Sequence, residues 1–338
     1  MIISTDSLDA DEAWGFDAPS EAAKSAEVRP FVIDAALHGQ RLDRALALRV
    51  PEFSRNYLQH LIEEGAVTLM GRSATRPAAR VAAGQRGEIE LRATPQSQAF
   101  VAEAMALEVV HEDAHLLVVH KPAGLVVHPA PGNWRGTLLN GLLARDPQAA
   151  LLPRAGIVHR LDKDTSGLMV VARRRESMEA LVRMIAAREV SRQYLALAHR
   201  PWRGPAALEV EAPIGRDPAN RLRMAVVDLA RHPGKPAATR FECLAPAAAG
   251  CLLRATLRTG RTHQIRVHAA HLGHPLVGDA LYGGAPAAGL QRQALHAERL
   301  AFHHPATGEP LALWAPPPPD FQAALAAWGV GYNEFRPA

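Results

Sequence analysis

The stretch HRLDKDTSG, residues 159–167, is the densest cluster of polar and charged side chains in the chain. It lies between the apolar segments 156–158 and 168–171, which we predict to be buried strands. A polar loop held between two buried strands is a common place for catalytic groups. Asp162 is the main candidate, because the cationic residues beside it favour its charged form, and a carboxylate can act as nucleophile or base. Taken alone, an aspartate in such a turn is more often a solvated ion-pair partner.

A second polar segment, TGRTHQIRVH at residues 259–268, follows about a hundred positions later. Gly260 indicates a turn before a helix, and Ile265 and Val267 could anchor that helix in a core. Arg266 lies between these two apolar residues and could pair with Asp162. The two segments together predict a polar cleft that contains an acid and an arginine in basic surroundings.

The order of predicted elements favours an α+β fold from residue 107 onward. Short apolar strands are predicted at 107–110, 116–119, 168–172, 193–198, 239–244 and 252–257. Helices are predicted at 137–143, 177–187 and 321–328. This irregular succession favours a mixed, largely antiparallel sheet with a central cleft over a doubly wound parallel sheet.

Composition divides the remainder of the chain. Residues 1–30 carry seven acidic and two basic residues and few large apolar ones, so we predict a disordered acidic tail. Residues 31–93 predict a small α+β domain with two helices and short strands, residues 94–106 a linker, and residues 107–338 a catalytic domain.

Charge indicates a polyanionic partner. The net charge is +4, and the tail alone carries −5, so the rest of the chain carries +9. A basic surface can bind nucleic acid because neutralised phosphates release counterions. Many basic proteins bind no nucleic acid, so charge alone decides little.

The sequence predicts a cytoplasmic protein with no membrane association. Two cysteines, Cys243 and Cys251, form no disulfide framework, which fits a reducing compartment. We see no apolar run of about 18 residues and no secretory signal. Nothing in the sequence demands more than a monomer.

Histidines leave a metal hypothesis open. His268, His271 and His274 recur every three residues, but no His-Glu-x-x-His pattern is present. A Gly-x-Ser-x-Gly nucleophile motif and a dinucleotide-type glycine motif are also missing from the sequence. We therefore expect no metal and no cofactor, and we keep a metal-dependent RNA hydrolase as an alternative that rests on histidine content.

From residue 107 to about 325 the chain resembles the RluA family of pseudouridine synthases. The resemblance is carried by ordered motifs: HKPAGL at 120–125, HRLD and TSG within 159–167, QYLA at 193–196, GRTHQIR at 260–266, GHPLVGD at 273–279 with YG at 282–283, and LHA at 295–297. Residues 31–93 resemble the S4 RNA-binding module, through RLD at 41–43, SR at 54–55 and LIEEGAV at 61–67. Further matches, such as VHPAPGN at 127–133, point to the RluD-type branch.

This resemblance implies the isomerisation of uridine to pseudouridine in a stem-loop of large-subunit (23S) ribosomal RNA, without a cofactor. It implies that Asp162 is the catalytic aspartate, that Arg266 pairs with it, and that Tyr194 stacks under the base. Arg160 and His263 in the catalytic domain, and Arg41, Arg44 and Arg55 in the S4-like domain, are the RNA-binding residues that it implies. The alternative is a non-catalytic RNA-binding or ribosome-assembly factor on the same fold.

Overall fold

The computed structural model describes residues 27–92 and 99–331, which form two compact units that meet in sequence between Ala99 and Phe100. Most of the predicted acidic tail lies outside the described residues. Its last four positions, 27–30, belong to the first strand, so the prediction of a disordered tail is wrong for them. Each unit is described by itself.

The N-terminal unit is a four-stranded antiparallel sheet with two helices. The strands are β1 (Glu27–Val32), β2 (Val67–Leu69), β3 (Arg72–Ser73) and β4 (Arg86–Leu91), in the order β1-β4-β2-β3. The helices are α1 (Leu42–Arg49) and α2 (Arg55–Glu63). As predicted, Ser54 caps α2, because its side chain accepts a hydrogen bond from the Tyr57 amide at 3.3 Å. Apolar faces of both helices pack on the sheet.

The larger unit is built on one mixed sheet. Its strands are β5 (Glu108–Glu112), β6 (Leu116–Lys121), β7 (Ser166–Ala172), β8 (Ser191–His199), β9 (Ala207–Glu211), β12 (Ala238–Pro246), β13 (Gly250–Leu257), β14 (Leu295–His303) and β15 (Pro310–Trp314). The order is β5-β6-β7-β14-β8-β13-β12-β9, with β15 on β14. Only the β7–β14 pair is parallel, which confirms the predicted mixed, largely antiparallel α+β fold. Strands β10 (Ile214–Arg216) and β11 (Met224–Val226) form a separate hairpin.

Helices cover both faces of this sheet. They are α3 (Leu138–Arg145), α4 (Arg175–Ala186), α5 (Gln264–His271) and α6 (Pro319–Ala327). Helices α3 and α5 pack on the face that carries Tyr194, in one apolar cluster with it. Helix α6 packs on the opposite face, against Leu195 and Leu197. None of the helices within residues 27–92 and 99–331 has the length and apolar character needed to span a membrane.

The segment before the 159–167 loop differs from its prediction. Residues 156–158 do not form a strand: a short 3₁₀ helix, Pro153–Gly156, ends there, and Ile157 makes a single bridge to Val171. The cause lies just upstream, where Arg154 and Ala155 adopt left-handed φ angles of 53° that extended strands do not use. The loop is therefore bordered by one strand, β7, and by a buried turn.

Gly167 is the point where this loop enters the sheet. Its φ angle is +120°, and a Cβ atom built there would lie 2.2 Å from the carbonyl oxygen of Ala297 on β14. Only glycine satisfies both the backbone angle and the close approach of β7 to β14. The parallel pairing that positions the loop thus depends on this residue.

We predict that Gly167→Ala lowers the free energy of unfolding by about 2–5 kcal/mol, of which about 1–2 comes from left-handed strain and about 1–3 from overpacking. Gly132→Ala is the control, because Gly132 also has a positive φ, of 84°, but its Cβ would meet nothing within 4 Å. Denaturant unfolding measures both. Equal losses in the two variants would contradict the close-approach explanation.

Candidate active site

Asp162 lies in the loop that leads into β7, and backbone hydrogen bonds fix that loop. The amide of Thr165 donates to the carbonyl of Asp162 at 3.1 Å, which closes the turn. The guanidinium of Arg292 donates to the carbonyl of Asp164 at 2.9 Å. The Asp162 side chain is 18% exposed, so its carboxylate is reachable from solvent while its backbone is held.

Lys121, at the end of β6, ties a second loop to this one. Its ammonium donates to the carbonyls of Pro122, Leu125 and Lys163, each at 2.9 Å. Burial lowers the pKa of Lys121 to about 7, and the negative charges of Asp162 and Asp164 oppose that shift. Three bonds from one buried ammonium use all its protons, so Lys121 holds the backbone on both sides of the site.

Arg266 on α5 joins Asp162 to a second carboxylate. Its Nη1 donates to Asp162 Oδ2 at 2.9 Å, while Nε and Nη2 donate to the two oxygens of Asp279 at 2.7 and 2.8 Å. Arg266 and Asp279 are both buried. Burial lowers the pKa of Arg266, but the bonds and charges of the two carboxylates outweigh it and raise that pKa. The guanidinium is therefore a fixed cation whose fork is held by Asp279 and whose remaining arm reaches Asp162.

Gln264 explains why α5 presents Arg266 at this place. Its side-chain oxygen accepts from Thr259 Oγ1 at 2.7 Å and from the Arg261 amide at 2.9 Å, and its nitrogen donates to Thr239 Oγ1 at 2.9 Å. These bonds fix the first turn of the helix, so that the neighbouring side chains Ile265 and Val267 enter the core as predicted.

His263 and Tyr282 complete the surroundings of Asp162. Nε2 of His263 lies 4.0 Å from Asp162 Oδ1, and its Nδ1 is 2.8 Å from the Tyr282 hydroxyl. That hydroxyl also accepts from the Met224 amide at 3.0 Å, and it can donate its own proton to His263 Nδ1 in the tautomer that carries the ring proton on Nε2, facing Asp162. Burial lowers the pKa of His263, and the negative charge of Asp162 opposes this, so the ring is neutral near pH 7.

Tyr194 lies on the α5 face of the sheet, in β8, and is 5% exposed. Burial raises the pKa of its hydroxyl; the positive charge of Arg192 opposes that shift, and the negative charge of Asp162 adds to it. Its ring belongs to the same apolar cluster as Ile265 of α5. Tyr194 therefore lies within the electrostatic reach of Asp162.

The sequence-predicted residues of the larger unit divide into two groups. Asp162, Arg266 and His263 are brought into direct neighbourhood. Arg160 is exposed, and its charge is felt at His263, whose pKa it lowers further. Three further residues of the site, Asp279, Tyr282 and Lys121, were not predicted from the sequence. Their position in the motifs at 120–125, 273–279 and 282–283, which carry the family resemblance, could have identified them as site residues.

In the N-terminal unit, Asp43 organises two of the predicted RNA-binding arginines. It is fully buried and accepts hydrogen bonds from Arg41 at 3.1 and 3.0 Å, from Arg55 at 3.2 and 2.9 Å, and from Gln59 at 2.6 Å. Burial raises the pKa of Asp43, but these donors outweigh it and lower the pKa. Arg44 is exposed. The surface of this unit therefore presents two guanidiniums held by a carboxylate and a third that faces solvent.

Two of the three regularly spaced histidines have structural partners. His268 is buried between Thr239 Oγ1 and the Ala212 carbonyl, at 2.9 Å each, and His274 bonds the backbone carbonyl of His199. Within residues 27–92 and 99–331, no three histidine, cysteine or carboxylate side chains are grouped so as to hold a metal ion. The groups gathered around Asp162 are those of carboxylate chemistry: a reachable carboxylate, a fixed cation, a neutral imidazole and a buried phenol.

Comparison with known proteins places this geometry in a family. Residues 115–271 match the family model described as RNA pseudouridylate synthase. The chain is 44% identical to "Ribosomal large subunit pseudouridine synthase D" of Neisseria meningitidis serogroup A, over 95% of this chain and 87% of that one. It is 48% identical to the protein of the same name from Nitrosomonas europaea, over 86% and 84%.

A solved structure agrees with these relatives. "Human RNA Pseudouridylate Synthase Domain Containing 1" superposes with a TM-score of 0.50 at 28% identity, over 65% of this chain and 87% of that one. The fold, the matched residues and the length of the similarity to curated relatives lead to one conclusion: the chain belongs to the RluA family of RNA pseudouridine synthases, in its RluD-type branch.

Proposed function

We propose that this protein isomerises specific uridines of large-subunit (23S) ribosomal RNA to pseudouridine. One observation carries the proposal: Asp162, reachable from solvent, is held by the buried Arg266 in a chain that resembles large-subunit pseudouridine synthases over most of its length. A non-catalytic assembly factor on this fold would have no need for a buried arginine that positions a reachable carboxylate.

The reaction needs few groups. The C1′–N1 bond of a uridine breaks, the uracil turns, and a new bond joins C1′ to C5, while the proton from C5 is lost and N1 gains one. Asp162 adds to C1′ of the sugar, adds to the base, or removes a sugar proton next to C1′. Arg266 holds the carboxylate in its charged form and in a single orientation.

The base must leave its helix to reach Asp162, at a cost of a few kcal/mol of unstacking. We assign Tyr194 to contact with the flipped base, because its ring lies in the buried face of the sheet near Asp162. Arg160, exposed and two residues from Asp162, is assigned to the space that the base leaves, where a flat guanidinium can stack on neighbouring bases. His263, whose Nε2 lies 4.0 Å from Asp162 Oδ1, is assigned to RNA contact.

We assign Arg41, Arg44 and Arg55 to the recruitment of RNA by the S4-like domain. Asp43 fixes the first and third, so that little side-chain freedom is lost when a phosphate binds them. Within the same proposal, the substrate is an rRNA stem-loop, and the protein acts as a cytoplasmic monomer without metal.

Asp162→Asn is expected to abolish pseudouridine formation in a 23S rRNA transcript. The side-chain amide of asparagine is too weak a base and too weak a nucleophile to replace the carboxylate. Affinity for the transcript and the unfolding temperature should stay close to wild type. Asp164→Asn, in the same loop, is the control and should keep activity. Mass spectrometry of digested RNA measures the product, with EDTA present throughout.

The outcomes separate the hypotheses. Product from the wild-type protein in EDTA supports the proposal, whereas bound but unchanged RNA would favour an assembly factor. RNA cleavage that EDTA prevents would favour a metal-dependent hydrolase. Substantial product from Asp162→Asn would remove that residue from its assigned role.

For the S4-like domain we predict that Arg44→Gln weakens rRNA binding and reduces the slope of log affinity against log salt by about 0.7–0.9, the value of one phosphate contact. Arg49→Gln, on the same helix, is the control, because Arg49 is already paired with Asp34. Filter binding at several salt concentrations measures both. An unchanged slope in Arg44→Gln would exclude a phosphate contact there.

A further inference from the structure

Arg192 is a buried cation without a partner among the residues that the structure describes. It lies near the start of β8 and is 7% exposed. Among the described residues, none accepts a hydrogen bond from its guanidinium, and its Nε is fully enclosed without an acceptor. Arg266, on α5, is also buried but engages two carboxylates instead.

Such an arrangement is unfavourable in the free protein. A charge removed from water loses solvation energy that only a counter-charge or hydrogen bonds can return. Burial accordingly lowers the pKa of Arg192. An apolar side chain at this position would stabilise the fold, so the arginine serves a state in which an acceptor is present.

The location of Arg192 indicates where that acceptor comes from. Arg192 precedes Tyr194 by two positions in β8, and its guanidinium reaches the turn that leads into α5. Gly260, in the turn before α5, leaves room for the guanidinium, because a Cβ there would lie 3.0 Å from Nη1. Nδ1 of His159 is a second buried nitrogen without an acceptor. Burial lowers the pKa of this ring, and the positive charge of Arg192 lowers it further.

We propose that Arg192 receives a carbonyl oxygen of the flipped uracil and the negative charge that this oxygen gains during the reaction. The inference rests on the function proposed above. The base is the part of a flipped nucleotide that enters deepest, next to Tyr194, whereas its phosphates stay at the mouth of the cleft. A guanidinium has only donors, so it fits the oxygen atoms of uracil.

The chemistry of the step requires such a cation. When the C1′–N1 bond breaks, its electron pair leaves with the uracil, which becomes an anion whose charge is shared by N1 and the carbonyl oxygens. C1′ is left short of electrons until C5 supplies a pair for the new bond. The C5 proton then departs, and N1 takes up a proton, so that atoms and charge balance. A fixed donor in a dry site lowers the energy of the anion without reorganising.

The test compares Arg192→Met, Arg192→Lys and the control Arg254→Met in full-length protein. Arg254 lies on β13 opposite Leu195, so it faces away from Tyr194, and its Nε is likewise enclosed without a partner. Three quantities are measured: the single-turnover rate of pseudouridine formation at saturating enzyme, the Kd for the rRNA transcript at several salt concentrations, and the unfolding temperature.

Arg192→Met is expected to reduce the single-turnover rate by about 10²–10³-fold, the effect of one donor to a developing oxyanion. Its Kd and salt slope should stay unchanged, and its unfolding temperature should be equal to or higher than that of wild type. Arg192→Lys should have a single-turnover rate between those of Arg192→Met and wild type. Arg254→Met should have the wild-type rate.

Three outcomes would overturn the inference. A lower affinity and salt slope with an unchanged rate would assign Arg192 to a phosphate. A lower unfolding temperature together with the lower rate would make it a structural residue, and an unchanged rate would leave it no part in the reaction. A wild-type protein that forms no pseudouridine would instead refute the proposed function itself.

Discussion

The active site is organised by one guanidinium with two carboxylates. Arg266 is buried, which is unfavourable for a lone cation, and Asp279 compensates by accepting two of its hydrogen bonds. The third direction of the fork then points at Asp162. Surrounding hydrogen bonds hold both residues of this ion pair in place. Gln264 fixes the helix that carries Arg266, and Lys121 fixes the loop that carries Asp162.

Two buried arginines, Arg192 on β8 and Arg266 on α5, use their charge in different ways. Arg266 is neutralised within the protein, so it can orient a side chain before any substrate arrives. Arg192 has no such partner among the described residues, so its energy falls only when the substrate supplies an acceptor. A hydrogen bond from Arg192 that strengthens only when the glycosidic bond breaks lowers the activation barrier of the reaction. The ion pair of Arg266 exists before substrate binds, so it sets the position of Asp162.

Local sequence features predicted much of the fold. The Ser54 cap, the apolar stripe of α2 and the strands β6, β7, β8, β12 and β13 are set by near neighbours, and the structure has them where they were expected. Strands β9, β10 and β11 were not predicted. The prediction for segment 156–158 was wrong, because its apolar residues fit a strand or a buried turn equally well, and the left-handed angles of Arg154 and Ala155 decide between them. Periodicity alone does not contain that information.

The site itself was predictable only in part. Asp162 and Arg266 stand in polar segments that attract attention, but their contact spans 104 positions and depends on the β7–β14 pairing. Asp279 and Asp43 were not predicted to bind arginines, because the sequence does not distinguish a buried carboxylate from one that is exposed to solvent. Arg192 gave no signal at all, since it is distinguished by the burial of its whole side chain together with the lack of a partner among the described residues.

The central claim is that the fork of Arg266, and not its charge alone, positions Asp162. Arg266→Lys tests it most directly, with tritium release from rRNA labelled at C5 of uridine as the measurement. Lysine keeps the charge but cannot hold both oxygens of Asp279 and also reach Asp162, so we predict a rate lower by about 10²-fold, the usual cost of a misplaced group. Tritium release at the wild-type rate from a folded Arg266→Lys protein would contradict the account.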